Sequence, residues 1–163
     1  MKQILFNPKI LKKLFSYKTT EMCKSCKRYG TKAICPPHIP SLGYYKNVLP
    51  SYKYGIMYYE NFLVDNPKDW KDLGASSSLR LHKKLVEVRK TLLSKGHYYV
   101  VVFGAGSCKL CPTCKFPCRH PDRSIVPLEG TGVDVFRLLK KHKVAIDSPI
   151  KNSFYRVGVV LYD

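Results

Sequence analysis

His97-Tyr98-Tyr99-Val100-Val101-Val102-Phe103-Gly104-Ala105-Gly106-Ser107-Cys108 runs from an uncharged, nearly continuous apolar stretch through a glycine turn to a cysteine. Seven such residues, rich in valine and aromatics, predict a strand buried on both faces. A strand buried on both faces needs packed layers above and below it, and the flanking segments supply them. Upstream, Ser76, Ser77 and Ser78 offer an N-cap, Leu81, Leu85, Val88 and Leu92 form an apolar helical stripe, and Gly96 marks its end. Downstream, Thr131 or Gly132 can open a second helix with Val133, Phe136, Leu138 and Leu139 turned inward, closing near Lys140, Lys141, His142 and Lys143. Phe154–Tyr162 reads as a last strand around the apolar run Val157–Leu161, and Tyr52–Val64 as an earlier one that Asn66-Pro67 ends. Near the start, Pro8 suits a first helical turn, and Ile10, Leu11, Leu14 and Phe15 recur at helical spacing. Strand, helix, strand, cysteine loop, helix, strand predicts one α/β domain over residues 1–163. It should hold a small, largely parallel or mixed sheet, flanking helices and right-handed crossovers.

The glycine turn delivers the chain into Cys108-Lys-Leu-Cys111-Pro-Thr-Cys114-Lys-Phe-Pro-Cys118-Arg-His-Pro121. Its thiols are spaced C-x2-C-x2-C-x3-C with a proline three residues later, and four thiols at that spacing can converge on an iron–sulfur cube. Buried cysteines can also be plain core residues, but the lysines, prolines and arginine between these four make a poor core segment. The loop at 104–121 is therefore read as metal-binding, at the carboxyl end of a strand where α/β sheets place their sites. Its glycines let backbone amides approach cluster sulfides; no helix follows them, so they are not a dinucleotide fingerprint.

A second cysteine knuckle, residues 23–38, carries Cys23-x2-Cys26-x8-Cys35 followed by Pro36, Pro37 and His38. Cys23, Cys26, Cys35 and His38 could close a tetrahedral zinc site. Alternatively, the three thiolates hold an iron–sulfur cube completed by a distant cysteine, with His38 a solvated loop residue.

Length and composition bound the rest. A chain of 163 residues can bury a core without help from disulfides. Seven cysteines, an odd number, argue for ligands or redox groups in a reducing, cytoplasmic setting rather than a disulfide framework. The longest wholly apolar run, Tyr98–Phe103, is far short of the ~20 residues that span a bilayer. A formal charge of +18 predicts an acidic protein partner or RNA, and some of the 12 tyrosines could stack on bases. No Ser/His/Asp arrangement, paired-carboxylate motif or phosphate loop stands out.

The motifs together resemble the family called domain of unknown function 2284, predicted metal-binding proteins of anaerobic bacteria and archaea. The likeness lies in Cys23, Cys26, Tyr29-Gly30 and Cys35-Pro36-Pro37. It continues in Gly104-Ala105-Gly106 with Cys108, Cys111 and Cys118-Arg119-His120-Pro121, and in Glu129 with Gly132-Val133-Asp134-Val135. It departs at Pro127-Leu128-Glu129-Gly130, where such relatives often carry Pro-Ser-Met-Glu-Ala. The resemblance implies metal but no reaction. Seven thiols fit neither one cube nor two fully ligated cubes. By analogy with two-cluster ferredoxins, Cys108, Cys111 and Cys114 would hold one [4Fe-4S] cube, while Cys118 joins Cys23, Cys26 and Cys35 on a second. The first cube would have one open iron, which His120, Glu129 or Asp134 could fill or flank; Glu129 and Asp134 could equally favour a helix N-terminus. The expectation is an iron–sulfur protein for electron or sulfur transfer to a larger enzyme. The alternatives are an open-site enzyme acting on a small molecule or RNA, and a zinc-stabilised RNA-binding module.

Overall fold

The computed structural model describes residues 1–64, 69–146 and 152–163. In chain order the elements are β1 (Lys2–Phe6), α1 (Tyr17–Lys24), α2 (Leu42–Val48), β2 (Tyr54–Leu63), α3 (Trp70–Ser94), β3 (Val100–Gly104), β4 (Val126–Pro127), α4 (Val135–Lys141) and β5 (Ser153–Tyr162). Short 3-10 turns at Pro8–Lys13, Leu49–Ser51 and Leu128–Thr131 join them.

The five strands form one sheet in the order β1-β2-β5-β3-β4. All neighbours are antiparallel except β3 and β4. The sheet is thus mixed, the second of the two forms expected, with one parallel pair. β2, α3 and β3 do form a strand-helix-strand unit, but β5 inserts between the two strands and runs opposite to both. β5 also takes the position expected of residues 97–103. Val157 to Leu161 are buried without a break, whereas β3 begins only at Val100, leaving Tyr98 and Tyr99 exposed.

Side chains alternate across β5 and divide the core in two. Val157, Val159 and Leu161 face Leu11, Leu49, Leu128, Val133, Leu138 and Leu139 from the turns and α4. Val160 faces Leu81 and Leu85 of α3, with Tyr58, Val102 and Ile125. The stripe on α3 is as predicted, with Val88 and Leu92 packed against the same cluster, and Gly96 follows the helix end at φ +88°.

The N-cap expected at Ser76–Ser78 lies inside α3. These serines bond instead to other backbone carbonyls: Ser76 Oγ to Leu73 O, Ser77 Oγ to Gly74 O and Ser78 Oγ to Ala105 O. The Pro8 segment is a 3-10 turn capped by Asn7, with Leu11 fully buried. Phe136, expected inside, is 48% exposed, because α4 begins only at Val135 with Asp134 as its cap. The strand end expected at Asn66-Pro67 lies outside the described residues. Among the described residues no helix is long and apolar enough to cross a membrane.

Candidate metal centre

The carboxyl end of β3 and the parallel strand β4 set up the site. Gly104, at the end of β3, pairs with Pro127 of β4. The chain then bends into the Leu128–Thr131 turn, which brings Glu129 back over the glycine loop. Glu129 Oε1 accepts the Gly106 N–H at 3.0 Å. The loop amide expected to face a cluster sulfide therefore faces a carboxylate.

The same turn receives the N-terminal knuckle. Phe15 forms an antiparallel bridge with Val133, Ser16 N–H donates to Gly132 O, and Asp134 N–H donates to Leu14 O. These bonds fix the start of α1, the helix that carries Cys23. At Gly130 a Cβ would lie 3.2 Å from Pro127 Cγ, 3.3 Å from Ile39 Cδ1 and 3.6 Å from Pro36 Cδ. The missing side chain lets the knuckle seat against the turn. The knuckle closes on itself through Cys26 N to Cys23 O, Cys35 N to Lys32 O and Gly30 N to Pro36 O.

Between these parts lies a cavity of about 220 Å³ whose lining includes Cys23, Cys26, Cys35, Met22, Arg28 and Glu129. Cys35 is buried, Cys23 half-buried and Cys26 exposed. Burial pushes the Cys35 thiol up to about 11, helped by the charges of Cys23, Cys26, Glu129 and Cys108. Cys23 is raised first by burial, then by Glu129 and Cys26. Glu129 is surrounded by protein yet keeps some accessible surface, because it faces the cavity. Burial raises its carboxyl above the usual range, and hydrogen bonds from its own amide and Gly106, with the charge of Arg156, oppose the rise.

The C-terminal loop lies beside this cavity. Burial raises Cys108; the Leu110 amide and Lys32 oppose the rise, while Cys118 and Cys111 add to it. Cys114 points elsewhere: its Sγ accepts the Ala33 N–H of the knuckle at 3.3 Å. Cys114, which was expected beside Cys108 and Cys111, is thus the loop thiol bonded to the N-terminal knuckle. Cys118, expected to cross over, is an electrostatic neighbour of Cys108. Backbone amides also donate to sulfur within each segment, Arg28 N to Cys26 Sγ and His120 N to Cys118 Sγ, both at 3.4 Å.

The other candidates have structural partners. His38 Nε2 hydrogen-bonds Gly30 O at 3.0 Å, and its ring packs 4.4 Å from Phe116 of the other loop. His120 Nδ1 accepts from Arg123 Nη2 at 2.8 Å. Asp134 accepts the Arg137 N–H at the start of α4 and is absent from the cavity lining. Among the described residues, no three His, Cys, Asp or Glu side chains stand together as a ready-made site for one ion. What the structure assembles is three thiols and a carboxylate around one cavity, with a second thiol group alongside.

Sequence reasoning missed α1 as the carrier of the first thiols, although the signal was present. Thr19, Met22 and Cys23 are spaced i, i+3, i+4 on α1 and line the cavity, and Cys26, two residues beyond the helix end, lines it with them. Arg28 and Arg156 had no comparable signal.

A family model described as predicted metal-binding protein (DUF2284) matches residues 12–162. No curated protein and no solved structure matches the chain.

Proposed function

The chain belongs to the DUF2284 family of predicted metal-binding proteins, and on that premise we propose that it is an iron–sulfur protein serving electron or sulfur transfer. Cys23, Cys26 and Cys35 would hold one [4Fe-4S] cluster, and Cys108, Cys111 and Cys118 a second, with Cys114 between the two groups. The observation that carries this reading is the cavity of about 220 Å³ lined by three thiols. A structural zinc draws its thiolates in to about 2.3 Å and leaves no space between them. A cavity walled by thiols suits a polynuclear group, which the C-x2-C-x2-C-x3-C spacing also favours. The amides donating to Cys26, Cys114 and Cys118 belong to the same reading, because hydrogen bonds to sulfur help set a cluster's potential. When bound, such clusters supply one-electron chemistry or, at an iron without a cysteine, a Lewis acid.

The partner is an acidic protein in a reducing cytoplasm, docking over the two cysteine segments. Residues 17–38 and 104–123 carry nine Lys or Arg and two acids, and both acids are already paired, Glu21 with Lys24 and Asp122 with Arg123. Exposed Met22, Tyr29 and Phe116 add apolar surface among those cations. Because only three cysteines line the cavity, a second reading is an enzyme that binds a small molecule or RNA at the remaining iron.

The test is iron, zinc and acid-labile sulfide per chain on protein purified without oxygen, with spectra before and after dithionite. About eight irons and eight sulfides, bleaching on reduction, are expected for two cubes. Zinc without sulfide would sink the reading and leave a zinc-stabilised RNA-binding module, checked by RNA affinity against salt.

A further inference from the structure

We propose that Glu129 is the fourth protein ligand of the centre held by Cys23, Cys26 and Cys35, so that this centre has one oxygen-ligated, exchangeable iron. The proposal rests on the iron–sulfur reading above. It starts from a carboxylate that has no salt-bridge contact among the described residues, although Arg156 acts on it at longer range and Arg28 lines the same cavity. Glu129 is enclosed by protein and makes no ion pair among the described residues. The cation whose charge it feels, Arg156, donates Nε to Ser77 Oγ at 3.1 Å and Nη2 to Gly74 O at 2.9 Å. Burying a carboxylate without a close cation is costly, and metal coordination is one of the few arrangements that offsets it. The cavity Glu129 faces is lined by three potential metal-binding thiols.

Position supports the same assignment. The Gly106 N–H holds Oε1 at 3.0 Å, so the carboxylate is oriented before any metal arrives. Of the acids and histidines that could complete the set, Glu129 alone lines the cavity. His38 is bonded to Gly30 O, His120 to Arg123 and Asp134 to the start of α4. A carboxylate oxygen is a harder donor than thiolate and holds iron less firmly in a sulfur-rich set. The iron it binds should be the one that exchanges with an added ligand and is lost first on oxidation.

The experiment uses the full chain purified without oxygen, as wild type, Glu129→Gln and Glu129→Cys. Each is treated with ferricyanide, which removes one electron as [4Fe-4S]2+ becomes [3Fe-4S]+ and Fe2+ leaves. Iron is counted and the paramagnetic spectrum recorded. Wild type should lose iron and give a [3Fe-4S] signal. Glu129→Cys, with a fourth thiolate, should lose that component of the signal. Glu129→Gln, which retains the size and an oxygen for Gly106, should be isolated with less iron, because Fe2+ leaves [4Fe-4S]2+ as [3Fe-4S]0; on ferricyanide that cluster gives up one electron to show the [3Fe-4S]+ signal with less further iron loss than wild type. Both cysteine segments are intact in all three proteins, so differences between them report on the Glu129 centre. If both variants match wild type in iron and spectrum, the ligand assignment is wrong while the iron–sulfur reading stands. If Glu129→Cys does not fold, the Glu129→Gln comparison decides. Wild type without iron or sulfide overturns the reading and the assignment together.

Discussion

Cys114 Sγ accepts the Ala33 N–H across 3.3 Å, joining two segments 81 residues apart in sequence. His38 against Phe116 makes a second contact between the same segments. The two cysteine segments therefore pack against each other, and in the proposed sorting of the thiols Cys114 lies at their junction.

That sorting predicts how the metal divides. Cys118→Ala should lose about half of the iron and sulfide and keep the N-terminal cluster's spectrum, and Cys35→Ala should do the reverse. Metal counts and paramagnetic spectra of the two variants check this. Loss of both clusters from Cys118→Ala would restore the shared-ligand arrangement.

Metal loading should release protons. Burial raises Cys23, Cys35 and Cys108 above the ordinary thiol value, Cys35 to about 11, so these groups are protonated near neutrality in the metal-free chain. A metal must displace those protons, and its affinity should rise about tenfold per pH unit for each one displaced. Titrating the metal-free protein with cobalt in weak buffer containing an indicator dye measures the release. An affinity flat across pH would contradict binding of the metal through these thiols.

Gly158 lets α3 lie against β5. A Cβ there would stand 2.8 Å from Leu85 Cδ1 and 3.1 Å from both Leu81 Cδ1 and the Phe103 carbonyl oxygen. Gly158→Ala should therefore cost about 1–3 kcal/mol in urea unfolding. Combined with Leu85→Ala, which clears the closest contact, the double variant should lose less than the sum of the single changes.

Tyr45 gives a pH dependence remote from the cysteines. It is 5% exposed, and burial, then Tyr44, pushes its hydroxyl up to about 12. Below about pH 10 both folded and unfolded states keep the proton. Between about 10 and 12 the unfolded state releases it first, binds fewer protons, and stability falls as pH rises, by at most about 3 kcal/mol. Tyr45→Phe should remove that share of the alkaline loss; urea midpoints falling in parallel for both proteins would refute it.

Helix α3 was legible because its evidence is local. Leu81, Leu85, Val88 and Leu92 repeat on one face, and Gly96 supplies the left-handed residue beyond the end. Its start was not, because serine signals a cap equally well when it sits inside a helix bonding to a carbonyl three residues back. α1 escaped for a different reason. None of its residues is buried, so its signal is the spacing of Thr19, Met22 and Cys23 rather than a buried apolar period. In α2, Ser41 caps the helix through Tyr44 N, while Gly43 in its first turn weakens the local helical signal. The strand order and the bond between Cys114 and Ala33 depend on tertiary packing, which no local pattern encodes. The cysteines and Glu129 were visible as residue types; their common cavity became visible only with the fold.

β5 lies between two strands made before it. As the chain leaves the ribosome, β2 and β3 emerge with unpaired edges that cannot meet in the final sheet until their common neighbour arrives. Until then the loop beyond β3 and the turn beyond β4 have no completed sheet to stand on. Metal delivered during synthesis would meet loose thiols free to bind in the wrong combinations. Under the proposed function, loading of the cysteine segments follows completion of the sheet, a timing constraint set by strand order.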